Sequence, residues 1–267
     1  MWLIDTKTLC LTDIQQPESV QYAILSHCWR DGQEVSFHEF AHLDPSNTRQ
    51  KPGFSKIFMT CGFARRHGIP YAWIDTCCID KSSSAELSEA INSMFRWYQR
   101  AKVCFVFLAD MPSQTTDISL YLEKCRWFTR GWTLQELIAP EKVEFYDQAW
   151  GFIGTKTTLV NSLSDITKIS REILQGETDF GTISVAQRMS WAAHRSTTRT
   201  EDLAYCLFGI SDVHLPLIYG EGHKAFTRLQ EAILQNSADL SLFAWTSKCG
   251  QKYRGAFAKS PAEFENC

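Results

Sequence analysis

The sequence lacks most features that announce a common chemistry. No stretch approaches the roughly 20 apolar residues that cross a bilayer. The opening MWLIDTKTLC reaches the acid Asp5 before any long apolar run, unlike a secretory signal. There is no C-x-x-C pair, no N-x-[ST] acceptor, no G-x-S-x-G elbow, no glycine-rich phosphate loop and no G-x-G-x-x-G. Those absences remove support for α/β-hydrolase, nucleotide-triphosphatase and ordinary dinucleotide-dehydrogenase readings. No sign of charge dominates: 27 Lys and Arg against 30 Asp and Glu leave a net charge of -3. A nucleic-acid-binding surface as the main business of the chain is therefore not expected, although a local basic patch is compatible with that balance.

What is present describes an ordinary globular chain. Its 267 residues, 44% hydrophobic and 21% charged, suffice for one large domain or two small ones. Ten cysteines would suit a disulfide scaffold, but Cys28, Cys61, Cys104 and Cys206 sit inside apolar runs and Cys77 and Cys78 are adjacent. They read as reduced, buried, small hydrophobes, which implies a cytoplasmic protein with no membrane association.

The first half alternates short apolar strands with amphipathic helices, the pattern of a parallel sheet. Strands are expected at Trp2 to Ile4, Tyr22 to Leu25, Tyr71 to Ile74, Val103 to Leu108 and Val143 to Tyr146. A helix over Phe54 to Arg66 presents Phe54, Ile57, Phe58, Cys61 and Ala64 on one face and stops at Gly68. Ser83 and Glu86 form a capping box for a helix striped by Leu87, Ile91, Met94, Phe95 and Tyr98. Three strands end in polar residues: Ser26 and His27, Asp75, and Asp110. In an open parallel sheet such ends share one edge, where ligands bind. After about Trp150 the pattern becomes helical: Thr155 to Ser170, Val185 to Ala193, Glu201 to Phe208 capped by Thr200, and Lys224 to Asn236. Leu242 to Trp245 reads as a closing strand. The expected division is a core over 1–150 and a helical extension over 151–267.

Several constellations could carry chemistry. His38-Glu39-Phe40-Ala41-His42 is an H-E-x-x-H, which on a helix would hold zinc with Glu39 as general base. Its surroundings argue against it: Val35-Ser36-Phe37 favours a strand, Asp44-Pro45 ends any helix early, and no further ligand is evident downstream, so no metal is expected. Cys77 or Cys78 with His27 could form a thiol nucleophile, although packing is the commoner use of such cysteines. In RGWTLQEL, Arg130 to Leu137, the residues alone favour a helix with Trp132 and Leu137 inward and Glu136 facing water; the alternative is a carboxylate beside a Trp-lined cleft.

Three segments, YAILSHCW from Tyr22, WIDTCCIDKSSSAELSEAINSMFRWY from Trp73 and RGWTLQELIAP from Arg130, resemble the three blocks of the fungal heterokaryon-incompatibility (HET) domain in order and spacing. TTRTEDLAYCLFGI from Thr197 and LPLIYGEGHKAFTRLQEAI from Leu215 resemble the region C-terminal to that core in many family members. The family usually has Gly after the first-block Trp, whereas this chain has Arg30. The HET core is distantly similar to Toll/interleukin-1-receptor (TIR) domains. The resemblance implies a TIR-like, flavodoxin-like α/β sheet with flanking helices plus a mostly helical C-terminal extension. It further implies a cell-death effector of fungal non-self recognition, self-association, and an NLR-type or other incompatibility partner.

In NAD-cleaving TIR domains the Glu of the W-x-L-x-E-L motif is catalytic, which implies that role for Glu136, with NAD as substrate and no cofactor. Cleaving the nicotinamide–ribose bond passes through an oxocarbenium-like state and releases a neutral leaving group, so one carboxylate can suffice. On this reading Trp29 and Trp132 stack a flat base, Ser26 and His27 bind ribose or phosphate, and Arg30 or Arg130 faces the pyrophosphate. Asp75 and Asp80 suit either a site role or a turn role. The alternative is a non-catalytic TIR-like signalling module. Arg195, Arg199, Glu201 and Asp202 are expected to cap a helix and pair on the surface, the alternative being a role in closing the crevice.

Overall fold

The computed structural model describes residues 1–42, 50–247 and 255–267. The chain divides into two compact units, Met1–Trp127 with Ala139–Thr158, and Phe128–Ile138 with Leu159–Cys267. This differs from the expected 1–150 and 151–267: the first unit runs to 158, and the RGWTLQEL segment belongs to the second.

The first unit is built on seven strands, β1 (Trp2–Asp5), β2 (Leu11–Asp13), β3 (Tyr22–His27), β4 (Tyr71–Trp73), β5 (Val103–Phe107), β6 (Val143–Tyr146) and β7 (Phe152–Thr155), in the order β2-β1-β4-β3-β5-β6-β7. The four central strands β4-β3-β5-β6 are mutually parallel, while β1, β2 and β7 add antiparallel edges. The sheet is thus mixed, with the TIR-like α/β arrangement at its centre. Every residue of β3 and β5 is buried, which is why both read as unbroken apolar runs rather than alternating ones. The chain leaves β3 for β4 on one side, then crosses to β5 on the other. The carboxyl end of β3 is therefore the point where the connections diverge and a crevice opens.

Local corrections arise from what each helix packs against. The helix Pro52–Arg66 buries Gly53, Lys56, Ile57, Thr60, Cys61, Phe63 and Ala64, while Phe58 is exposed. The buried face is rotated from the apolar stripe because it admits a lysine and a threonine. Ser83 does cap Ser84–Arg100 by accepting from the Glu86 amide. The Glu86 carboxylate, however, accepts from the Trp2 indole at 2.7 Å and the Asp80 amide at 3.2 Å instead of closing the box. That helix buries Ala90 and Trp97 with Ile91, Met94 and Tyr98, leaving Leu87 and Phe95 half-buried. Phe37–Ala41 is a short helix, not a strand, because Ser36 and Glu39 form a complete capping box. The expected helix stop at Asp44-Pro45 lies outside the described residues.

The second unit has no strand among its described residues. Its longest helix, Lys224–Asn236, buries Ala225, Phe226, Leu229, Ala232 and Ile233, the spacing of one helical face. Leu240–Phe243 is a 3-10 helix where a closing strand was expected, its first turn fixed by the Asp239 carboxylate accepting from the Ser241 amide. Helix Asp202–Tyr205 starts after Glu201 rather than Thr200, with no side-chain cap.

The Lys56-bearing helix is seated by Gly53. Its N–H donates to the Gln33 carbonyl at 2.9 Å, and a Cβ there would meet that oxygen at 2.6 Å and the Glu34 Cα at 2.8 Å. Gly53→Ala should therefore destabilise the chain by about 1–3 kcal/mol, the usual cost of overpacking against backbone. Urea denaturation measures it, and an unchanged midpoint would show that the helix can shift without loss.

Candidate functional site

In the first unit, the carboxyl end of β3 carries a connected polar network. The Lys56 ammonium, from a residue only 5% exposed, lies 2.9 Å from Nδ1 of buried His27, 3.3 Å from the Cys28 carbonyl, and within an ion pair with Glu34. An ammonium can only donate, so Nδ1 of His27 accepts and its proton resides on Nε2, which faces Asp75 Oδ1 at 3.1 Å. The other Asp75 oxygen accepts from the Trp29 indole at 2.9 Å. Burial pushes the Asp75 carboxyl up, but the hydrogen bond from His27, the charge of Lys81 and the Trp29 N–H together hold it below its ordinary 3.8. Ser26, fully buried, accepts from the Trp127 indole at 2.7 Å.

Trp29 is 39% exposed, so its ring presents a flat face while its N–H is held from below. The Lys81 ammonium sits 3.8 Å from the ring centroid. Arg30 is fixed by two bonds, its guanidinium donating to the Ala109 carbonyl at 3.2 Å and its amide to Glu34 at 2.9 Å. Beside these groups opens a cavity of about 170 Å³ lined by Trp29, Arg30, Glu34, Thr76 and Lys81 among others. The network thus brings His27, Trp29, Arg30 and Asp75 together and fixes Ser26 next to them in sequence. It also includes Glu34, Lys56 and Lys81, which sequence reasoning missed. Lys56 left one signal, a lysine at the apolar spacing of the helix.

Other expectations resolve differently. Asp80 accepts from the Ser82 amide and hydroxyl at 2.9 and 2.6 Å and lies 3.2 Å from His38, a turn role. Asp110 accepts from the Arg126 amide at 2.7 Å. Glu39 is held down to about 2 by its bond from Lys51 and then by the Ser36 amide, which makes it a poor general base. No group of three or more His, Cys, Asp or Glu side chains able to hold a metal occurs among the described residues. Cys77 is fully buried and its thiol is raised well above 9.0, first by burial and then by Cys78. With both His27 nitrogens engaged, the thiol-nucleophile arrangement does not form.

In the second unit, Glu136 is buried at 6% exposure, against the water-facing position the residues alone favoured. Arg195 is buried too, not on the surface: it donates to the Arg130 carbonyl and the Thr133 hydroxyl, both at 2.9 Å. Burial lowers its pKa to about 10, and the Glu136 charge opposes that shift. Arg130 donates to Thr198 at 3.3 Å, and the half-buried Trp132 donates to Asp202 at 3.4 Å. Glu201 and Asp202 are tethers rather than surface partners. Glu201 accepts from the Gly220 and Gly222 amides at 2.8 and 2.9 Å, and Asp202 accepts from the Tyr219 hydroxyl at 3.0 Å. Arg199 lies over the Tyr219 ring at 4.4 Å.

Comparison with known proteins places this architecture. The heterokaryon incompatibility protein (HET) family matches residues 22–121, the span that carries His27, Trp29, Lys56, Asp75 and Lys81. The chain is also 46% identical over 257 residues to the vegetative incompatibility protein HET-E-1 of Podospora anserina. The chain belongs to the heterokaryon-incompatibility family. The alignment covers 92% of this chain and 18% of that relative, so the chain spans less than a fifth of its length. Residues 224–266 match a domain of unknown function, DUF8212. No solved structure matches the chain. Among the described residues, no helix of this HET protein is long and apolar enough to cross a membrane.

The depressed Asp75 pKa fixes a pH dependence. Its stabilisation is fully present above the ordinary value of 3.8 and is lost as pH falls through the lower folded value. Asp75→Asn should cost about 1–3 kcal/mol at pH 7, the range for a charged hydrogen-bonding group. The gap to the native chain should narrow below about pH 4. Denaturant titrations at pH 7 and pH 3 check this; a gap that widens on acidification would contradict it.

Proposed function

We propose that this chain is the trigger module of a vegetative incompatibility response, causing cell death by cleaving NAD to nicotinamide and ADP-ribose once copies self-associate. The incompatibility role is carried over from the name of its 46% identical relative. The observation that supports a nucleotide ligand is the Trp29 shelf with its N–H anchored on Asp75, beside a cavity at the divergence of the parallel strands. A flat ring stacks on indole, and Arg30 offers a cation to a phosphate.

The carboxylate assigned to the chemistry is Glu136, by the TIR resemblance. Nicotinamide leaves as a neutral molecule from a pyridinium, so no acid need protonate it, and a carboxylate stabilises the positive charge developing on the ribose. The strand-end carboxylates are poor substitutes for it. Both Asp75 oxygens are engaged, and Glu34 is paired with Lys56.

One observation favours a second reading, a non-catalytic signalling module. Glu136 is buried and its charge acts on the buried Arg195, as in a structural pair. Nicotinamide release from NAD, measured over a range of protein concentrations, separates the two. Release should rise faster than linearly with concentration and fall about 10²–10³-fold in Glu136→Gln, the cost of removing one preorganised stabilising group. Absence of release from folded, assembled protein would favour the signalling module.

A further inference from the structure

The Trp29 ring is already occupied by part of the chain itself. The Lys81 ammonium lies 3.8 Å from its centroid, in the position a bound cation would take. Lys81 comes directly after Asp80 in the turn beyond β4 and is exposed as a residue, so only its charged end is crowded. Crowding lowers that ammonium below its ordinary 10.5, while the charges of Asp75 and Glu34 oppose the shift. Among the described residues, no hydrogen bond or ion pair at bonding distance ties it down; the ring and the surrounding carboxylates are what hold it. The cavity is lined by two cations, Arg30 and Lys81, and two acids, Asp31 and Glu34. Withdrawing Lys81 would leave an aromatic face with its edge on a carboxylate and one fewer positive charge around it, which is a receptor for a planar cation.

We infer that the Trp29 shelf is a binding site for a planar organic cation of the pyridinium class, and that Lys81 occludes it as a built-in stand-in that such a ligand must displace. The shelf itself rests on geometry alone. Naming its natural occupant as the pyridinium end of a dinucleotide rests on the proposed function. Lys81 would then set the threshold for ligand entry, because any cation on the ring competes with one already there.

The test compares 1-methylnicotinamide, a pyridinium cation, with neutral nicotinamide of similar shape, by titration against Trp29 indole N–H shifts. Lys81→Met should bind the cation about 2–5-fold more tightly than the native chain, as expected for removing a competing surface cation–π contact. Nicotinamide must displace the same ammonium but carries no charge of its own, so it should gain clearly less. Lys81→Arg should behave like the native chain, and adding Trp29→Leu to Lys81→Met should abolish the gain. A Lys81→Met chain that binds the cation no better than the native one, or gains equally for both probes, would overturn the inference. A gain for the cation in a chain that releases no nicotinamide from NAD would uphold the shelf and sink the glycohydrolase reading.

Discussion

A lysine ammonium buried against a histidine, a glutamate and a backbone carbonyl organises the strand end on which the candidate site stands. Burying an isolated cation costs several kcal/mol, so Lys56 is tolerated only because Glu34 neutralises it and the Cys28 carbonyl accepts a further hydrogen bond from it. Once in place it dictates the rest by donor and acceptor logic. Nδ1 of His27 must accept, Nε2 must donate, and Asp75 is thereby held as a carboxylate whose other oxygen anchors the Trp29 indole. Removing one partner of such a buried pair typically costs about 3–5 kcal/mol, far more than an exposed pair is worth. The ring of Trp29 is held at the end of that chain of bonds.

The same logic separates binding from chemistry. A carboxylate with both oxygens already accepting, and a histidine with both nitrogens engaged, can position a ligand but have little left with which to move protons. The first unit therefore carries features of recognition: a flat ring, a cation on it and a small cavity. In the second unit two acids serve as tethers. Glu201 and Asp202 bind the segment around Tyr219 and Gly220 through amide and hydroxyl donors.

Much of this was legible in the residues. Polar termini on three apolar runs located the shared strand edge, and the quoted blocks located the family, because both are short-range patterns. What escaped was whatever depended on a partner distant in sequence. Helix periodicity offers Lys56 no partner, since it sees only the helix and not Glu34 and His27 on other elements. Phe58 reads as inward for the same reason, yet it is exposed. The Phe37 helix was missed because β-favouring residues outvoted the Ser36–Glu39 box, although both halves of that box were written in the sequence. Arg195 reads as a surface charge, whereas the Arg130 carbonyl and the Thr133 hydroxyl satisfy it inside. In each case hydrogen-bond satisfaction overrode the simple sorting of polar residues outward.

The central claim is that Lys56 sets the proton on His27 and, through it, the geometry of the Trp29 shelf. Nitrogen-15 correlation spectra of the His27 ring at neutral pH test it directly. The expected result is a neutral ring protonated on Nε2, with an unprotonated Nδ1 that loses its hydrogen-bond shift in Lys56→Met. A proton on Nδ1, or a doubly protonated ring, would mean that Lys56 does not donate there, and the shelf would need another explanation.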